Sequence, residues 1–288
     1  MKFLLSRKLC KINLRFFNFH KHIILIRIKS WGNFKMKFYV FDRSIVGYKN
    51  IIKNKTSQDY LKVENTGESL ICTIADGHSS DFFTQSYLGA KFACEGAIYV
   101  LKKYINCDIN KMTILLKNKT IQQEIYEKWR ELTFLDMKEK LPNIFKFNFL
   151  KYGTTLLIIL INKDYILYMK LGDGNILINE NNKINKILPD CKKDIVDSMP
   201  QYKSYEKVQY KIQSNKNNIT DIVMFSDGFE KSFICYDEMI KDIKNTMNAY
   251  KKNVFFRYNL EKNYSNYLED LSKKKGFDDI SIIFVNIL

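Results

Sequence analysis

Three short apolar runs in this chain end abruptly at an aspartate with a glycine beside it, and a fourth begins directly after two aspartates. Ser69 to Ala75 runs into Asp76-Gly77-His78, and Ile166 to Leu171 into Gly172-Asp173-Gly174. Asp221 to Phe225 runs into Ser226-Asp227-Gly228, and Asp278-Asp279 precedes Ile280 to Val285. Runs this apolar read as strands of a core, which puts each carboxylate at the mouth of a sheet. Gly77 is expected to take backbone geometry closed to other residues. Four carboxylate positions spread over roughly 200 residues can converge on one metal site. Hard divalent cations such as Mg2+ and Mn2+ prefer oxygen ligands and bind through few carboxylates. Two such ions about 3.5–4 Å apart activate water and stabilise an in-line displacement at phosphorus. An imidazole, with an ordinary pKa of about 6.5, can hand a proton to the leaving alkoxide. Asp-Gly after an apolar run is also a hairpin-turn signal. His78 shifts the balance, because the other two histidines, His20 and His22, lie in an N-terminal segment of different character.

The elements that must carry these residues follow from periodicity. Lys37–Phe41 reads as a first strand, and a polar loop over 53–60 leads through Leu61-Lys62-Val63 to the strand ending at Asp76. Apolar residues at helical spacing predict a helix from Asp81 to about Tyr104, and a second from about Thr120 to Lys140 closed by Pro142. Leu156–Ile161 is strongly β-prone, and Asn175–Ile178 is expected to pair back on the strand before it. Residues 189–203 read as a loop, Tyr205–Ile212 as an exposed strand, and Glu230–Ala249 and Phe255–Lys274 as helices. Strands with helices inserted in pairs favour two sheets layered between helices.

Bulk properties narrow the function classes. A chain of 288 residues, 46% hydrophobic, can bury a real core and is not a disordered one. The net charge of +16 is concentrated at the start: residues 1–41 carry ten Lys/Arg and no acid, leaving +6 for the rest. No dense basic patch interleaved with aromatics follows residue 41, so nucleic acid is not expected as a partner. A mildly positive body suits phosphorylated or acidic partners. The six cysteines show neither a CxxC pair nor zinc-ligand spacing and read as reduced thiols. No apolar run approaches the ~20 residues of a membrane span. The expectation is an intracellular protein, cytoplasmic or nuclear, with organellar import through residues 1–35 or a translation start at Met36 as alternatives.

In their order along the chain, Ser57-Gln58-Asp59, Ala75-Asp76-Gly77-His78, Gly153-Thr154-Thr155, Gly172-Asp173-Gly174, Ser226-Asp227-Gly228 and Asp278-Asp279-Ile280-Ser281 resemble the motifs of PP2C-type, metal-dependent Ser/Thr protein phosphatases. The resemblance covers about residues 45–288, with the Gly-Asp-Gly form nearest the compact bacterial-type branch. It implies an α+β fold: a four-layer α/β/β/α sandwich of two antiparallel sheets with helices outside. It implies a phosphatase domain over 36–288, preceded by a basic extension over 1–35. It further implies hydrolysis of phosphoserine and phosphothreonine in proteins by water activated between two Mg2+ or Mn2+ ions, in a monomer. By the same resemblance Asp76 bridges both ions, the Gly77 carbonyl binds one, and Asp227 and Asp278 complete the other site. Asp59 holds metal-bound water, Asp173 matches the position of a possible third ion, and His78 is the general acid.

The sequence departs from the family pattern in several places, one being Gln58-Asp59 where two acids usually stand, a change the compact branch tolerates. Ser79 and Ser80 stand where glycines usually follow the histidine, and the stretch between Gly174 and Asp227 lacks a Gly-rich flap. No arginine stands at the phosphate position, leaving Lys53 and Lys55, which are solvated loop residues or point-charge phosphate binders. Gly153-Thr154-Thr155 is expected to pack beside the site, and Asp279 to be a turn residue that could exchange roles with Asp278. The alternative to an enzyme is a pseudophosphatase, the same fold used as a binding or scaffolding module.

Overall fold

Side chains alternate between the two faces of a strand, so a run that is apolar at every position must be covered on both sides. Leu156–Ile161 is of this kind, and Leu70–Asp76 and Tyr165–Leu171 come close, interrupted only by Thr73, Asp76 and Lys170; all are buried almost throughout. The computed structural model describes residues 38–140, 147–190, 196–215 and 218–288. Its elements in chain order are β1 (Phe38–Ile45), α1 (Tyr48–Ile52), β2 (Asp59–Asn65), β3 (Leu70–Asp76), α2 (Ser86–Tyr104), α3 (Ile109–Lys117) and α4 (Thr120–Lys140). Then come β4 (Leu156–Ile161), β5 (Tyr165–Leu171), β6 (Asn175–Glu180), β7 (Lys183–Lys186), β8 (Gln209–Ser214) and β9 (Ile219–Phe225). The chain closes with α5 (Asp227–Lys231), α6 (Tyr236–Lys252), α7 (Val254–Leu271) and β10 (Ile280–Ile287).

The strands form two five-stranded sheets, ordered β1-β10-β9-β6-β7 and β2-β3-β4-β5-β8. Every pairing is antiparallel. Leu70, Cys72 and Ile74 of β3 and Leu157, Ile159 and Ile161 of β4 face Ile176, Ile222, Met224 and Ile283 of the other sheet. The alternate residues, Ile71 and Ala75 with Leu156, Ile158 and Leu160, pack under α2, α3 and α4. On the far side Val223, Phe225, Ile282 and Phe284 meet Met239, Ile243, Tyr264 and Leu268 of α6 and α7. Three apolar layers between four layers of elements make an α+β, α/β/β/α sandwich. Each fully buried Leu or Ile contributes about 1.5–3 kcal/mol. The Trp129 indole N–H donates to the Gly89 carbonyl at 3.1 Å and ties α4 to α2.

Several local expectations are corrected. The helix expected from Asp81 begins at Ser86, because Ser80 and Phe83 close a turn first: the Phe83 N–H donates to the Ser80 carbonyl at 3.0 Å. Asn175–Ile178 does not pair back on β5; it crosses to the other sheet, beside β9. Gly172 makes that crossing with a φ of +101°, a conformation other residues rarely adopt. Gly77 has no positive φ; it is required by close approach, since a Cβ there would lie 2.7 Å from the Gln58 carbonyl oxygen. Helices α1 and α3 were not anticipated, and the helix expected over 230–249 is divided between α5 and α6. Residues 1–37, with the expected extension and the start at Met36, lie outside the described residues, as do Pro142, Cys191 and Lys216-Asn217. Among the described residues no helix is long and apolar enough to cross a membrane.

Candidate active site

Five aspartates stand where strands give way to loops at one end of the sandwich. Asp76 ends β3, Asp59 starts β2 directly opposite it in register, and Asp173 sits in the β5–β6 crossing. Asp227 opens α5 after β9, and Asp278 lies just before β10. One carboxylate oxygen from each of Asp76, Asp173 and Asp227 lies within 4.8 Å of the others. Asp227 and Asp278 are joined through Lys231, whose ammonium contacts Asp227 Oδ2 and lies 3.1 Å from Asp278 Oδ2. Asp59, 3% exposed, accepts from the Ser226 hydroxyl at 2.7 Å. Ser226 is the N-cap residue of α5, yet its hydroxyl makes no cap bond and is spent on Asp59.

The backbone of Asp76 is clamped from three directions. Its N–H donates to the Thr155 hydroxyl at 3.0 Å, and its carbonyl accepts from the Thr154 hydroxyl at 3.0 Å and the Thr155 N–H at 2.9 Å. Gly153-Thr154-Thr155 therefore positions the site from beside it. The same segment holds His78, whose N–H donates to the Gly153 carbonyl at 3.0 Å. His78 Nε2 shares a 2.8 Å hydrogen bond with Ser198 Oγ, and Phe83 meets the imidazole edge-on with ring centroids 4.7 Å apart.

The electrostatics are those of crowded carboxylates. Burial, then the charge of Asp279, pushes the Asp59 carboxyl up to about 7, against the Ser226 hydrogen bond. Burial and the charges of Asp59, Asp227, Asp278 and Asp173 raise Asp76 well above the carboxylate range. Asp173 rises to about 6 through burial and Asp227. Burial would raise Asp278 as well, but Lys49 and Lys231 outweigh it and hold that carboxyl low. Burial lowers the His78 imidazole, with Asp227 opposing. Among the described residues, two buried carboxylate oxygens of the site, Asp59 Oδ1 and Asp227 Oδ1, have no hydrogen-bond partner. A buried, unpartnered carboxylate oxygen is costly unless a cation meets it. An all-oxygen donor set with such orphans fits Mg2+ or Mn2+.

Lys53 and Lys55 stand apart from this cluster in their contacts. Lys55 pairs with exposed Asp81 at 2.8 Å, and both lysines hold the Asp81 carboxyl below its usual value. Sequence reasoning missed three side chains and misread a fourth. Lys231 was legible as the i+4 neighbour of Asp227 on one helical turn. Lys49, 2.5 Å from Asp278 Oδ1, and Ser198 act across long sequence separations and leave no local signal. Asp279 is no simple turn residue: 3% exposed, it accepts from the Gly47 N–H at 2.6 Å, the Gln58 N–H at 2.7 Å and the Asn50 amide at 2.9 Å.

The fold is shared with solved structures. Stp1, a serine/threonine phosphatase of Staphylococcus aureus, matches with a TM-score of 0.57 at 12% identity, covering 91% of this chain and 99% of its own. A bacterial serine phosphatase matches with a TM-score of 0.55 at 14% identity, over 88% of this chain and 98% of its own. The catalytic domain of the serine/threonine phosphatase PstP, in complex with two manganese ions, matches with a TM-score of 0.53 at 12% identity, over 88% of this chain and 100% of its own. At such identities these likenesses bear on the fold. No curated protein matches by sequence. Residues 46–268, most of the chain, match the protein phosphatase 2C family, and the chain belongs to that family of protein serine/threonine phosphatases.

Proposed function

We propose that the aspartate cluster holds two divalent cations, Mg2+ or Mn2+, and hydrolyses phosphoserine and phosphothreonine in proteins. The observation that carries this reading is the meeting of Asp76, Asp173 and Asp227 within 4.8 Å, beside buried carboxylate oxygens without partners. Asp76, central to the group, would bridge the two ions, with the Gly77 carbonyl and Asp59 on one flank and Asp227 and Asp278 on the other. Asp173 would serve this pair or hold a third ion. Bound there, the ions supply an activated water and neutralise charge on the phosphoryl group. The clamp of Thr154 and Thr155 on the Asp76 backbone keeps that carboxylate in place, which makes the geometry ready before substrate arrives. His78 would donate a proton to the departing serine or threonine oxygen. Its burial makes the imidazolium the stronger acid, and Ser198 and Phe83 fix the ring's direction. Lys53 and Lys55 would offer point charges to a substrate phosphate from the exposed loop beside Asp81.

The reading places the catalytic unit in residues 36–288, acting as a monomer inside the cell, with 1–35 as an extension. A fluorescent fusion of residues 1–41 that stays diffuse in the cytosol would remove an import role. No comparison supports the non-catalytic scaffold alternative. The test is phosphate release from matched phosphoseryl, phosphothreonyl and phosphotyrosyl peptides. Mn2+-dependent release from the first two, lost in Asp76→Ala, is expected. Release that is unaffected by Asp76→Ala would overturn the assignment.

A further inference from the structure

The two-ion reading leaves Lys231 unexplained, since its ammonium contacts both carboxylates assigned to one ion. Lys49 takes the other oxygen of Asp278, at 2.5 Å. We infer that Lys231, backed by Lys49, is a built-in cation that competes with one divalent ion for Asp227 and Asp278, so that the chain binds one ion tightly and the other only as Lys231 swings out. The inference rests on the metal reading of the cluster and goes beyond it.

Two observations support it. Among the described residues no ammonium forms a salt bridge with Asp76 or Asp173, so the cationic contacts fall on one half of the cluster. The Lys231 side chain is 52% exposed, against 15% for Asp227 and 19% for Asp278. It is thus a flexible arm with open solvent to move into, anchored one helical turn from Asp227.

The experiment is a Mn2+ titration of the full chain, read by electron paramagnetic resonance of the free ion, for wild type, Lys231→Met and Lys231→Arg. Wild type should bind one Mn2+ tightly and a second more weakly. Lys231→Met should tighten the weaker site by about tenfold, as expected for removing a competing charge, and leave the tight site unchanged. Lys231→Arg, which keeps the charge, should behave as wild type. Equal occupancy of two sites in wild type and Lys231→Met overturns the inference while leaving the metal reading intact. So does a tightening in Lys231→Arg as large as in Lys231→Met. Absence of Mn2+ binding in every variant would overturn the metal reading and the inference with it.

Discussion

Replacing Asp279 by alanine should cost about 2–4 kcal/mol of folding stability, although the residue is not assigned to a metal. Its carboxylate receives the Gly47 N–H, both contacts of the Asn50 amide and the Gln58 N–H, and Asn50 is itself 3% exposed. Alanine leaves the Gly47 and Asn50 donors buried without a partner, at about 1–3 kcal/mol each. The loss is partly offset, because a buried negative charge and its repulsion of Asp59 disappear as well. Against a typical total of about 5–15 kcal/mol the variant should still fold. The assay is urea unfolding at pH 7 in EDTA, with stability taken from the midpoint at unchanged slope. Asp279→Asn, which retains one acceptor, should lose about half as much by the same accounting. In Asp279→Ala the Asp59 carboxyl should also titrate below its value of about 7, because the second-largest cause of its rise is gone. A midpoint shift worth less than about 1 kcal/mol would refute the claim that Asp279 anchors the Gly47–Gln58 segment.

Gly153→Ala should depress turnover more than stability. A Cβ there would lie 2.5 Å from His78 Cδ2 and 2.7 Å from Phe83 Cδ1, so the imidazole must move. A loss of about tenfold or more in kcat, with about 1–3 kcal/mol of overpacking, is expected from steady-state kinetics and urea unfolding. The metal-free protein should lose stability as pH rises from about 4 to about 7. Asp59 binds its proton more tightly folded, up to about 7 against 3.8, and Asp173 follows at about 6. The folded state therefore holds the extra protons in that window, and stability must fall as they leave. For Asp59 alone the fall is at most about 4 kcal/mol. Thermal melts in EDTA should show it, and saturating Mn2+ should shrink it; a rise with pH in EDTA would contradict the raised carboxyls.

The local architecture was legible wherever burial left a pattern, an almost continuous apolar run in a strand or an apolar stripe on a helix. Leu156–Ile161 and Thr120–Lys140 were placed to the residue, and Leu70–Asp76 delivered Asp76 to a strand end. Short elements escaped where their signal is a single contact. Helix α3 rests on the Asp108 side chain accepting from the Lys111 N–H and on buried Met112 and Leu116. Strand β6 was found but assigned to the wrong sheet, because its apolar pattern is the same whichever neighbour it pairs with. Asp76, Asp173, Asp227 and Asp278 were legible because each lies beside an apolar run, whereas Asp59, in a polar loop, was legible only through the family motif Ser57-Gln58-Asp59. The residues that hold them were not: Ser198 reaches His78 over 120 residues of chain and Ser226 reaches Asp59 over 167. Asp279 could not be told from Asp278 in sequence, since only burial sends one inward to the Gly47 loop and leaves the other beside Lys231.

The most direct test of the metal-centred site is the hydrolysis of p-nitrophenyl phosphate through a cycle of Mn2+, EDTA and Mn2+ restored, with wild type and Asp227→Ala side by side. Turnover should stop on chelation, return with the ion and be absent in the variant. Turnover indifferent to EDTA, or undiminished without the Asp227 carboxylate, would contradict a metal-centred site.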